Sequence, residues 1–166
     1  MTLPMQIAKH FREVFFGGNW TSVNLKDSLE DVSLKQAITK HGDFNTIATL
    51  VFHINYYISI VTKVLEGGEL EGNDKLSFDT PSFSSEEEWK EYLENCWKKA
   101  ARFSSLVEEL PGEKIWENFA GEKYGNYYRN LSGIIEHTHY HLGQIVLLKK
   151  IFKKENEYDK ENDIDC

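Results

Sequence analysis

Apolar residues recur at spacings of three and four along most of this chain of 166 residues, and no long segment alternates at a spacing of two. This periodicity favours an all-α fold in which each helix buries one face. The breaks between the apolar stripes fall at Gly17-Gly18, Gly67-Gly68 and Pro111-Gly112. We therefore predict four long helices. They cover about residues 4–17, 45–66, 85–110 (capped by Ser84 or Ser85) and 127–153.

Four helices with sustained stripes indicate an antiparallel four-helix bundle. The connectors leave room for simple up-down order or for a crossover. The connector from Trp20 to His41 contains candidates for additional short helices at about Leu25–Val32 and Leu34–Thr39. We expect a single domain over residues 1–153. Residues 154–166 carry an acidic side chain at every odd position from 155 to 165, with little to bury, and predict a disordered tail.

Charge and composition restrict the partners of the chain. The formal net charge is −8 at pH 7, which argues against nucleic acid and against an anionic membrane surface as partners. We expect no stretch to approach the roughly 20 apolar residues of a membrane span, and the N-terminal residues lack a signal-peptide pattern. The expected location is the cytoplasm. Two cysteines cannot form a disulfide framework, and Cys96 lies on an apolar stripe, where burial is expected.

The fourth predicted helix contains the segment HTHYH. His137 and His141 are four residues apart, so on a helix they project from one face within reach of a single ion. His139 lies about 160° from His141 and is expected to face solvent or a partner. From spacing alone, the pair fits a metal site and fits two core histidines bonded to carboxylates or carbonyls equally well.

A third histidine shifts the balance toward a metal. His53 interrupts the apolar run TLVFHINYY of the second helix. Taken alone, a histidine in such a run is more often a core residue with its hydrogen bonds satisfied. Together with His137 and His141, a third imidazole would complete the three protein ligands of an open catalytic zinc site. His53 falls about 100° from Ile54, the centre of its stripe, which places it at the edge of the buried face of that helix. An edge ligand suits a site that opens to solvent.

The segments LVFHINYY and HTHYHLGQI together resemble the DinB/YfiT-like superfamily. The resemblance implies a four-helix bundle, commonly dimeric, in which one histidine of the second helix and two of the fourth bind a divalent metal. Carried over to this chain, the ligands are His53, His137 and His141, and the metal is zinc or nickel. Some relatives are S-transferases that use low-molecular-weight thiols such as bacillithiol or mycothiol, which implies a thiol cosubstrate and a homodimer here.

A metal held by three imidazoles has a position left for a thiol or for water, so the sequence predicts a thiol S-transferase or a hydrolase. Gln144 is either a residue that orients a ligand of the metal or a helix-packing amide. Tyr57 either places its phenol beside the metal or packs in the core. Glu136 is predicted to point outward, and no residue is assigned as catalytic. The alternative is a non-enzymatic metal-binding, oligomeric interaction or stress-response protein.

Overall fold

The structure, a computed structural model, describes the backbone of residues 1–162 and the side chains of residues 1–155. The α-helices of these residues are α1 (Leu3–Phe16), α2 (Leu25–Leu29), α3 (Leu34–Ile38), α4 (Ile47–Leu65), α5 (Glu86–Glu108) and α6 (Tyr127–Asn162). Short 3₁₀-helices cover Leu76–Phe78, Gly112–Trp116 and Glu122–Tyr124. An isolated β-bridge joins Asn118 to Asn126, and the described residues form no strand. The prediction of an all-α fold is confirmed.

The four long helices form a bundle in which α1 packs on α5 and α6, and α4 packs on the same two helices. Helices α1 and α4 are therefore diagonal to one another, and so are α5 and α6. The chain crosses the bundle diagonally in the connector that contains α2 and α3, and again between α5 and α6. The connectors were compatible with simple up-down order or with a crossover, and the structure shows the crossover.

Polar caps explain where the long helices begin. Thr46 accepts a hydrogen bond from the amide of Thr49 at the start of α4, and Ser85 accepts one from the amide of Glu88 at the start of α5. Three glutamates in the first turn of α5 complement the helix dipole. The structure thereby selects Ser85 over Ser84 as the cap. Gly67, with φ of 86°, follows the end of α4 in a conformation that other residues rarely adopt.

The apolar stripes predicted from the sequence form the core. All members of the α6 stripe are buried: Ile134, Thr138, His141, Ile145, Leu148 and Phe152. Trp89 of α5 is fully buried, and its indole N–H donates to the carbonyl of Val32 at 3.0 Å, which ties the first connector to the bundle. Cys96 is buried as predicted, and burial raises the pKa of its thiol to about 12.

Helix α6 is longer than the sequence predicted, because it continues past Lys153 to Asn162. No proline or glycine lies in that extension, and its lysines and glutamates are good helix formers. At its base, His41 lies 3.1 Å from the carboxylate of Glu155. The last part of the predicted disordered tail, residues 163–166 with Cys166, lies outside the described residues.

The expectation that no segment resembles a membrane span is wrong for α4. This helix has 19 residues, and a window of 18 residues within it has a mean hydropathy of 1.3, which meets the length and composition of a span. It is nevertheless a core helix of the bundle that packs on α5 and α6, with most of its apolar side chains buried. Its hydropathy is therefore explained by burial in the protein.

Candidate metal centre

The bundle brings together His53 of α4 and His137 and His141 of α6. One ring nitrogen from each histidine lies within 4.8 Å of the other two. The Nε2 atoms of His137 and His141 are 3.1 Å apart, close to the roughly 3.3 Å that separates two nitrogens bound tetrahedrally to one zinc. Among the residues with described side chains, this three-histidine cluster has no fourth histidine, cysteine or carboxylate ligand.

Ser77 orients His53. The Ser77 hydroxyl donates to the carbonyl of Asp74 at 2.6 Å, so it is available as an acceptor for Nδ1 of His53, 2.9 Å away. The carbonyl of Ser77 is a second acceptor at 3.3 Å. Nδ1 therefore carries the proton, and the lone pair of His53 is on Nε2, the nitrogen left to bind an ion.

Gln144 does the same for His141. Its Oε1, which can only accept, lies 2.7 Å from Nδ1 of His141. This bond places the proton on Nδ1 and the lone pair on Nε2, which faces His137. Through this bond Gln144 fixes the orientation of the His141 ring. Histidines that bind a metal usually have their outer nitrogen bonded to an acceptor, and His53 and His141 share this arrangement.

The surroundings keep all three imidazoles neutral at pH 7, the form that binds a metal. Burial, followed by repulsion from His141 and His53, lowers the pKa of His137 to about 4. Burial also lowers the pKa of His53, with a smaller contribution from His141, and it lowers the pKa of His141 against the opposing hydrogen bond of Gln144. Neutral nitrogen donors at this spacing fit a divalent zinc or nickel ion.

The connector after α4 covers one side of the cluster. Phe78 stacks on His53 with ring centres 4.2 Å apart, and Ser77 is fully buried beside it. His53 is consequently only 7% exposed, and the expectation that it lies at an edge open to solvent is wrong. His53 does lie at the edge of the apolar stripe of α4, but the 3₁₀-helix Leu76–Phe78 packs over that edge and covers it.

Tyr57 borders the cluster on its other side. Its ring centre lies 5.1 Å from that of His53 and 5.0 Å from that of His137. Its hydroxyl donates to Oδ1 of Asp74 at 2.8 Å. The ring of Tyr57 therefore packs against His53 and His137, and its hydroxyl is held by Asp74.

The cluster opens on the side of His137, where a cavity of about 490 Å³ reaches from Tyr57 and His137 toward the N-terminal end of α6. A cavity of this size is in the range of small-molecule sites. A ligand held there would contact His137 directly.

The remaining histidines lie elsewhere. His10 is exposed and His139 is half-buried, with ring centres 6.0 Å apart between α1 and α6. The expectation that His139 faces solvent or a partner is wrong, since its Nε2 is buried and has no hydrogen-bond partner. Glu136 is exposed as predicted.

Sequence reasoning missed the residues that the connectors contribute to the site. Ser77 and Phe78 come from a segment that reads as a polar loop, and only the apolar residues of LSF within it give a signal. Arg129 and Gly133, which line the cavity, were also missed. Their spacing of four residues, continued to His137, was available as a signal.

Fold and site together define an all-α bundle with a three-histidine cluster suited to a divalent metal. The model of the DinB family matches residues 13–151. The chain belongs to the DinB family. Comparisons with curated proteins and with solved structures find no match.

Proposed function

We propose that this protein is a metal-dependent enzyme that binds one zinc or nickel ion through His53, His137 and His141. The observation that carries the proposal is the convergence of three neutral imidazoles without a fourth protein ligand among the described side chains. Structural zinc sites usually have four protein ligands, whereas catalytic sites keep a position open. A bound divalent ion would lower the pKa of a coordinated thiol or water toward neutrality.

Thiol transfer is the reaction that we favour, with a low-molecular-weight thiol as cosubstrate. The nucleophile cannot be Cys96, because it is buried and its thiol pKa is raised to about 12. The cavity beside His137 gives an external thiol a path to the cluster. Hydrolysis by metal-bound water is the alternative that the same site allows.

The test is turnover of zinc-loaded protein with cysteine as the thiol and monochlorobimane as the electrophile. We expect thioether formation above the uncatalysed rate, lost in His137→Ala and on chelation, and restored in wild type by zinc. Absence of thiol transfer together with zinc-dependent hydrolysis of p-nitrophenyl acetate would identify the hydrolase. Zinc binding without either activity would contradict the enzyme and favour a non-enzymatic metal-binding protein.

The same proposal includes a cytoplasmic homodimer. Support for self-association comes from large side chains that the bundle leaves exposed, among them Trp20, Trp116 and Tyr140 at 98%, 63% and 65% exposure. Sedimentation equilibrium should give twice the chain mass of 19.3 kDa. A mass of one chain at micromolar concentration would contradict the dimer.

A further inference from the structure

The cavity beside the three-histidine cluster has apolar walls and charged ends. Its walls are formed by Ile60, Val61, Leu70, Phe119 and Ile134. Asp74 and Tyr57 lie at the end near His137, and Arg129 lines the same cavity. Apolar walls with few convergent polar groups are typical of a site that binds a specific small molecule.

One face of α6 forms the floor of this cavity. Arg129, Gly133 and His137 are spaced by four residues, so they follow one another along the same face. At a rise of 1.5 Å per residue, the Arg129 and His137 backbones are about 12 Å apart along the helix. A Cβ atom at Gly133 would meet no atom within 4 Å, so the glycine leaves open space midway between the two.

Charged side chains lie at both ends of the cavity. Arg129 forms no ion pair with any residue whose side chain is described, and its guanidinium is therefore available to a ligand. Lys123 lies near the same end, with Nζ 4.7 Å from the ring centre of Tyr124, another residue of the lining. Asp74 lies at the opposite end, where its carboxylate accepts a hydrogen bond from the Tyr57 hydroxyl.

The backbone makes room for the arginine. Gly125 has φ of 73°, and a Cβ atom there would lie 2.9 Å from Cδ of Arg129. A side chain at position 125 would therefore displace the arginine stem from its place. The glycine serves two purposes, because it adopts the left-handed conformation before α6 and lets Arg129 lie close to the chain.

We propose that the cavity binds a small carboxylic acid with an apolar body, its carboxylate on Arg129 and its other end at His137. A guanidinium binds a carboxylate through two parallel hydrogen bonds, and the apolar walls bury the body of the ligand. The proposal deepens the proposed function and rests on it, since the end at His137 is the one that reacts. Gly133 sets the width available to the ligand between these two ends.

The test compares 4-phenylbutyrate with 4-phenylbutyramide, which differ mainly in charge, by calorimetric titration of zinc-loaded protein. Wild type should bind the acid at least about tenfold more tightly than the amide, as expected for a hydrogen-bonded charge pair. In Arg129→Met the two affinities should agree within about twofold, because the apolar contacts remain and the cation is gone.

Gly133→Leu fills the cavity and should weaken both probes at least about tenfold. Leucine is a better helix former than glycine, so the variant should fold. Gly143→Leu is the matched control, because Gly143 is also in α6, is exposed, and has no atom within 4 Å of an added Cβ. It should bind both probes as wild type does.

Equal affinity of wild type for acid and amide, binding of neither probe, or an acid preference that persists in Arg129→Met would overturn the proposal. If Gly133→Leu bound both probes as tightly as wild type does, the result would overturn the proposed location of the ligand in this cavity. Zinc content of the same samples tests the proposed function separately. A wild type that holds no zinc and still prefers the acid would refute the metalloenzyme and support the Arg129 site.

Discussion

Helix α6 carries histidines on two sides, and the two sides differ in their hydrogen bonds. On one side, Nδ1 of His141 donates to Gln144 at 2.7 Å, and α4 supplies His53 with Nδ1 bonded to Ser77. On the other side, His139 faces His10 of α1, and its buried Nε2 has no partner. Burial lowers the pKa of His137 on the first side and of His139 on the second.

The two groups differ in the orientation of their rings as well as in their burial. In the three-histidine cluster, fixed acceptors hold the outer nitrogens of two rings, so lone pairs point inward at a shared position. At the His10–His139 pair, no acceptor fixes a tautomer and a third donor is absent from the described side chains. Orientation therefore separates a ligand set from a pair of neighbouring histidines.

Removing the acceptor of His141 should have the largest effect on zinc affinity short of removing a ligand. In Gln144→Leu the imidazole loses the bond that fixes its tautomer, and we expect a 10- to 100-fold weaker zinc complex. Competition with a chromophoric chelator measures the change. An affinity within twofold of wild type would show that Gln144 is only a packing residue.

Ser77→Ala should weaken zinc binding by about tenfold, at the lower end of that range. The loss is smaller because the backbone carbonyl of Ser77 remains 3.3 Å from Nδ1 of His53 as a substitute acceptor. Ser105→Ala removes a comparable hydroxyl bond within α5 and serves as the control, with unchanged affinity expected. A loss as large as that in Gln144→Leu would mean that the carbonyl does not substitute.

The pH dependence of stability should report the buried neutral state of His137. Its pKa is about 4 in the folded protein against 6.5 for an ordinary histidine, so the unfolded chain binds more protons between these values. The contribution of neutral His137 to the free energy of unfolding is complete above pH 6.5, and it is lost as the pH falls toward 4. Urea unfolding of metal-free protein should show this loss, and His137→Gln should show less of it. Parallel curves for the two proteins would contradict the assigned pKa.

The smallest changes in stability and zinc affinity are expected for a substitution of His139, on the other side of α6. His139→Leu removes a buried nitrogen without a partner and keeps apolar contact, so the melting temperature should stay constant or rise slightly. Zinc affinity should not change. A marked fall in melting temperature would show that the imidazole makes a stabilising bond with water or with His10.

The long helices could be predicted because their signals are local. The apolar stripe of α6, with His141 among its members, is buried as its period of 3.6 residues requires. Glycine pairs and the cap at Ser85 set helix ends for equally local reasons. The end of α6 was misplaced at Lys153 because acidic composition suggested disorder where no helix-breaking residue is present.

The candidate site could be predicted only in part. The spacing of His137 and His141 follows from one helix, and His53 stands out in its apolar run. The covering of His53 by Ser77 and Phe78 depends on how the connector between α4 and α5 (66–85) folds back, which no periodicity determines. The orphaned nitrogen of His139 likewise depends on the packing of α1 against α6.

The most direct test of the account is the metal content of untagged protein, measured by mass spectrometry after zinc supplementation and removal of free metal. Wild type and His139→Ala should each hold about one ion per chain, and His53→Ala and His137→Ala should hold almost none while remaining helical. That result would establish the three-histidine cluster as a metal site and the His10–His139 pair as separate from it. A wild type that retains no metal, or a His137→Ala variant that retains all of it, would contradict the central claim.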